Sequence, residues 1–168
     1  MNNWFVKEAK WFDVDRMALG KTLKDVYKNI NRNVTKESLK RLCTLLKLKK
    51  YKLNFKVIKF LCYNPHCGEN GTLGNQDKFI SQILNKNFKS ILGPLPADSA
   101  FKNYDKNTLF ISTYHDQALI PFKILNKKGF NLTLGLNYLR LSPAHGTALD
   151  IKYKNQSIIE SYLACMLS

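Results

Sequence analysis

Apolar residues recur at two different periods along this chain, and their alternation predicts an α/β fold. Helical spacing links Leu23, Val26, Tyr27 and Ile30, and then Leu39, Leu42, Leu45 and Leu46. Thr35 stands where it can cap the second of these helices, which is expected to end near Lys50. Residues 55–61 form a short apolar-rich run and predict a strand. Asn75 stands at the cap of a further helix that sets Phe79, Ile80, Ile83 and Leu84 on one face. Gly93-Pro94-Leu95-Pro96 predicts a rigid extended connection, because proline disfavours helix both at its own position and at the one before. Residues 108–114 predict another strand, with Pro121 in the first turn of the following helix, where a missing N–H costs little. The stretch from Phe130 to Leu136 alternates apolar and polar and predicts a strand. Ser142 to Thr147 predicts a loop, and a last helix is expected from about Ala148 onward. Strands alternating with helices argue α/β. Trp4, Phe5, Trp11 and Phe12 fit no element and are expected to pack against something, such as a part of the protein outside this sequence.

Composition narrows the class. With 168 residues, 45% of them hydrophobic, the chain can bury one real core and is read as a single α/β unit, residues 1–168. Met1-Asn2-Asn3-Trp4 leads into charged residues rather than a signal peptide's apolar segment, and no apolar run approaches the roughly 20 residues of a membrane span. A cytoplasmic protein is expected, with no membrane partner. Cys43, Cys62, Cys67 and Cys165 show no disulfide framework spacing, so reduced thiols are expected, with Cys62 buried as a small hydrophobe rather than serving half a zinc site. The net charge of +15 raises nucleic-acid binding. The excess is nearly all lysine, mixed with asparagine along the whole chain, while Arg16, Arg32, Arg41 and Arg140 are scattered. A basic nucleic-acid binder therefore ranks last among the readings.

Candidate chemistry sits where two apolar runs stop. After Phe55 to Leu61 comes Asn64-Pro65-His66-Cys67-Gly68-Glu69-Asn70-Gly71; after Leu109 to Thr113 comes Tyr114-His115-Asp116-Gln117. In open α/β sheets ligands gather outside the carboxyl ends of strands. His66 and His115 are imidazoles suited to a first-row divalent metal. Asp116 can orient a histidine, bind metal, contact substrate, or cap a helix beginning near Ala118. Lys123, Asn131 and Arg140 together could hold a phosphate or carboxylate, two cations supplying charge and an amide orientation. No Gly-x-Gly-x-x-Gly fingerprint follows a strand, so no cofactor-binding residues are assigned, and no catalytic residue is named.

Five segments together resemble the 4-hydroxythreonine-4-phosphate dehydrogenase family: Asn64-Pro65-His66-Cys67-Gly68-Glu69, Gly93-Pro94-Leu95-Pro96-Ala97-Asp98, Tyr114-His115-Asp116-Gln117, Asn131-Leu132-Thr133-Leu134-Gly135-Leu136 and His145-Gly146-Thr147-Ala148. The resemblance runs from about Leu23 to Asp150 and matches the family's C-terminal half. It implies a fold similar to isocitrate and isopropylmalate dehydrogenases, and a homodimer with its site between subunits. The implied reaction is oxidation of 4-phosphooxy-threonine by NAD or NADP to a 3-keto acid that loses carbon dioxide to give 3-amino-2-oxopropyl phosphate. It further implies a divalent metal (zinc, magnesium or cobalt) on His66 and His115, substrate contacts at Lys123, Asn131 and Arg140, and further contacts at Asp98 and Asp116. His145 falls in a matching motif with no implied metal role. The family's third metal histidine falls near Gly20, which has no ligand atom in its side chain, and the family's N-terminal half has no counterpart here. These departures leave alternatives open: an inactive fragment, half of a split enzyme completed by an N-terminal-half chain, or a related dehydrogenase of another phosphorylated hydroxy acid.

Overall fold

The computed structural model describes residues 4–8, 36, 37, 39–41, 43, 44, 47, 55–102, 105, 107–125, 129–134, 136–143, 151, 152, 154 and 159–167. The helix expected over 23–30, the Thr35 cap, Trp11, Phe12, Gly20, His145 and the start of the last helix near Ala148 lie outside these residues. In chain order the strands are β1 (Trp4–Glu8), β2 (Val57–Leu61), β3 (Ile91–Leu95), β4 (Thr108–Ile111), β5 (Phe130–Leu134) and β6 (Arg140–Pro143). The helices with bounded ends are α1 (Gln76–Asn87), α2 (Ala97–Ala100), α3 (His115–Leu125) and α4 (Glu160–Met166), and a 3₁₀ turn spans Pro65–Gly71. The architecture is mixed α/β, as the alternating pattern predicts.

One sheet runs β3-β2-β4, with both pairings parallel, Ile58 opposite Ile91 on one side and Leu109 on the other. Its core is built by the face that the helical period selects on α1. Ile80, Ile83 and Leu84 pack with Phe60, Tyr63, Ile91 and Ile111, and Leu39 joins them from the helical residues between 36 and 44. Burying each of these large side chains is worth about 1.5–3 kcal/mol, which makes this cluster the main support for the loops at the sheet's carboxyl edge.

The second sheet runs β1-β5-β6. β1 pairs parallel with β5, Trp4 opposite Phe130, so Trp4 and Phe5, which fit no element in the sequence, belong to a strand of the same chain. β5 and β6 pair antiparallel, Thr133 opposite Arg140. α4 docks on this sheet through its buried Ser161, whose hydroxyl donates to the Gly129 carbonyl at 2.5 Å.

Several expectations need correction. Gly93 and Pro94 lie inside β3 rather than in a connection. Among the described strands β3 lies at the edge of its sheet, where proline's missing N–H is tolerated. At Gly93, with φ 138°, any Cβ would run into the Phe60 carbonyl, so only glycine permits this approach beside the register shift between Lys59 and Leu61. β4 ends at Ile111 and α3 starts at His115, because the Ser112 hydroxyl bonds the Tyr114 carbonyl and turns the chain early. Pro121 is therefore interior to α3, and Asp116 lies in its first turn instead of capping it. Ser142 and Pro143 belong to β6, whose ladder with β5 outweighs the local turn preference. No described helix is long and apolar enough to cross a membrane.

Candidate functional site

The first histidine loop leaves β2 through buried Cys62 and Tyr63 and then reverses its hand. His66, Cys67, Gly68, Glu69 and Asn70 all have positive φ, between 43° and 83°. A left-handed turn of this length is costly, about 1–2 kcal/mol for each residue that carries a Cβ. It is held by contacts at several points. Asp77, in the first turn of α1 and only 2% exposed, accepts the Tyr63 N–H at 2.5 Å on one carboxylate oxygen and the Asn64 N–H at 2.7 Å on the other. The Asn64 amide donates to Gln76 Oε1 at 2.9 Å, and the Thr72 hydroxyl donates to the Glu69 carbonyl at 2.9 Å. Gly68 lies under the turn, where an added Cβ would come within 2.5 Å of the Gly74 carbonyl oxygen.

The same reversal brings Cys67 back onto the strand end, with its Cα 5.1 Å from that of Cys62, and the two form a disulfide. The expectation of reduced thiols is corrected for this pair, because the left-handed turn sets two cysteines five residues apart within bridging distance. Cys43 and Cys165 are free, and burial pushes both thiols up from their ordinary range, Lys47 partly offsetting the effect at Cys43. Cys62 is buried, as expected of a small hydrophobe.

The His66 side chain is exposed and its Nδ1 lies 2.8 Å from Glu69 Oε1. A surface pair of this kind adds little stability. Its consequence is orientation: with Nδ1 engaged by the carboxylate, Nε2 is the nitrogen available to a ligand. A histidine that ligates metal usually engages a carboxylate or carbonyl on its other nitrogen, so the donor chemistry of this pair suits a divalent cation. Among the described residues no three His, Cys, Asp or Glu side chains cluster as a metal site.

The second loop is tied to the first at the same carboxyl edge. Gln117 Nε2 donates to the Cys62 carbonyl at 2.8 Å, and the Tyr63 and Tyr114 rings lie 5.2 Å apart at a tilt. These two links join the residues on either side of His115, at the start of α3, to Cys62 and Tyr63, which lead into the turn of His66; the His115 side chain lies outside the described part. Asp116 and Asp98 are exposed in the first turns of α3 and α2, and Lys123 is exposed on α3. Asn131 and Arg140 belong to the other sheet, where Arg140 donates to the Thr133 hydroxyl at 3.0 Å. No described hydrogen bond or ion pair joins those two to the histidine loops. Sequence reasoning missed the structural parts of Asp77 and Gln117. Gln117 was visible as the end of a motif, whereas nothing in the pattern around Asp77 distinguishes a buried carboxylate from an ordinary first-turn one.

A parallel α/β sheet with paired loops at its carboxyl edge, one bearing an oriented imidazole, defines the class. Within that class, the chain belongs to the family of the pyridoxal phosphate biosynthetic protein PdxA, whose model matches residues 14–167. It is 42% identical over 143 residues to the 4-hydroxythreonine-4-phosphate dehydrogenase of Hydrogenobaculum sp. (strain Y04AAS1), covering 83% of this chain and 44% of that protein. It is 41% identical over 140 residues to the enzyme of that name from Aquifex aeolicus, covering 77% of this chain and 43% of the other. Among solved structures, 4-hydroxythreonine-4-phosphate dehydrogenase from Klebsiella pneumoniae superposes with a TM-score of 0.59 at 25% identity, covering 88% of this chain and 46% of that one. The chain thus spans less than half the length of these relatives.

Proposed function

We propose that this chain supplies the C-terminal-half side chains of a metal-dependent dehydrogenase site for 4-phosphooxy-threonine, in pyridoxal phosphate biosynthesis, on a fold of the isocitrate dehydrogenase type. The observation that carries the reading is the oriented His66–Glu69 pair, on a loop whose Cys62 carbonyl accepts from Gln117 of the His115 loop, in a chain of this family. In this reading His66 and His115 hold the divalent cation. Lys123, Asn131 and Arg140 bind the substrate's anionic groups, and Asp98 and Asp116 add further contacts. When bound, a divalent cation polarises the substrate hydroxyl that is to be oxidised. The cationic side chains hold phosphate by charge-assisted hydrogen bonds, fixing which end of the substrate faces the imidazoles. The complete reaction is oxidation by NAD or NADP to a 3-keto acid that decarboxylates, at a site shared between two protomers.

The remaining part of the cleft contributes positioning and electrostatic stabilisation, each worth orders of magnitude in rate. The purified 168-residue chain, given metal, NAD and 4-phosphooxy-threonine, is expected to form no NADH above blank, yet to bind Co²⁺. Replacing His66 or His115 by alanine should weaken that binding at least tenfold. Co²⁺ titration of wild type and both variants is the check; equal affinity in all three overturns the assignment.

A further inference from the structure

We propose that Asp77 is a positioning residue, whose buried carboxylate holds the left-handed turn of His66 in its ligand-presenting form. The inference rests on the metal reading of His66 and adds to it a residue that touches neither metal nor substrate. Both Asp77 oxygens are used, one on the Tyr63 N–H and one on the Asn64 N–H. Those amides immediately precede Pro65, whose ring fixes φ, so the direction in which the chain enters the turn is set at residues 63–65. The next five residues hold positive φ, a conformation that His66, Cys67 and Glu69 would not keep as a free loop. The carboxylate also sits in the first turn of α1, where the helix end favours negative charge, and α1 is itself seated in the core by Ile80, Ile83 and Leu84. Position is thus relayed from the core, through α1 and Asp77, to the backbone that carries His66. The disulfide and the Asn64–Gln76 bond act on the same segment, while Asp77 grips two consecutive amides from a buried site.

The test uses the full chain in solution. In wild type, through-hydrogen-bond scalar couplings from the Tyr63 and Asn64 amide nitrogens to the Asp77 carboxyl carbon should be measurable. Asp77→Asn keeps the shape but sets an amide NH₂ against one of the two N–H donors. Its Tyr63 and Asn64 amides should exchange roughly tenfold faster, and the HN–Hα couplings of residues 66–70 should move toward loop averages. Its Co²⁺ affinity should fall by about tenfold to a hundredfold, as for other groups that orient a ligand. Combined with His66→Ala, Asp77→Asn should cost nothing further in Co²⁺ affinity, which a merely global loss of stability would not reproduce. Absent couplings in wild type, or unchanged backbone couplings and affinity in a folded Asp77→Asn chain, overturn the proposal. A wild-type chain that binds no Co²⁺ overturns the metal reading alone, since the wild-type couplings judge Asp77 even if the variant does not fold.

Discussion

At the residue scale, neighbours of similar appearance carry very different burdens. Gly68 and Glu69 are adjacent in one left-handed turn, yet Gly68 has φ 83° with a carbonyl oxygen 2.5 Å from any added Cβ, while Glu69 points an exposed carboxylate at His66. Gly68→Ala should therefore lower stability by roughly 1–3 kcal/mol from backbone strain, with the carbonyl clash in addition. Glu69→Gln should stay within about 1 kcal/mol of wild type, since exposed ion pairs contribute little. Urea denaturation of both variants measures the contrast, and a Gly68→Ala midpoint equal to that of wild type would mean the turn is not left-handed there.

At the element scale, the turn between β2 and α1 is a small ring closed by Cys62 and Cys67 at one end and by Asp77 at the other. Closing it restricts the unfolded chain as well as the native turn. Cys43 and Cys165 stand outside it as free thiols, and burial raises both above the ordinary thiol range, which disfavours the thiolate. Thiol titration of the denatured, unreduced chain should thus find two reactive groups, and four after reduction. In the native chain, alkylation of Cys43 should stay slow at pH 8 and accelerate in more alkaline buffer. Four thiols without reductant would show that the ring is open.

At the scale of the whole molecule, apolar side chains remain uncovered on two helices. Ile120 and Ile124 of α3 are 59% and 72% exposed, and Tyr162 and Met166 of α4 are 53% and 69% exposed. Contiguous apolar surface favours association, while a net charge of +15 opposes it between copies of one chain. Salt screens the repulsion and leaves the apolar attraction in place. Sedimentation velocity should accordingly show self-association that strengthens from about 0.01 M to 0.15 M salt. Dissociation on adding salt would point instead to contacts driven by charge.

What the chain's pattern determined by itself is local. The face of α1, the apolar run of β2 and the two loops that follow strands were legible, because helical and strand periods and turn residues act over a few positions. The motif residues of both histidine loops were legible as well, His66 and His115 among them. The tertiary structure decided the rest. β1 became a strand only by pairing with β5, more than a hundred residues away in the chain. Gly93-Pro94 joined an edge strand because Phe60 stands beside it. Asp77 turned from a routine first-turn acid into a buried anchor because the loop before it folds back onto α1. Each of these depends on which distant backbone groups come within hydrogen-bond reach, and short-range patterning holds no record of such partners.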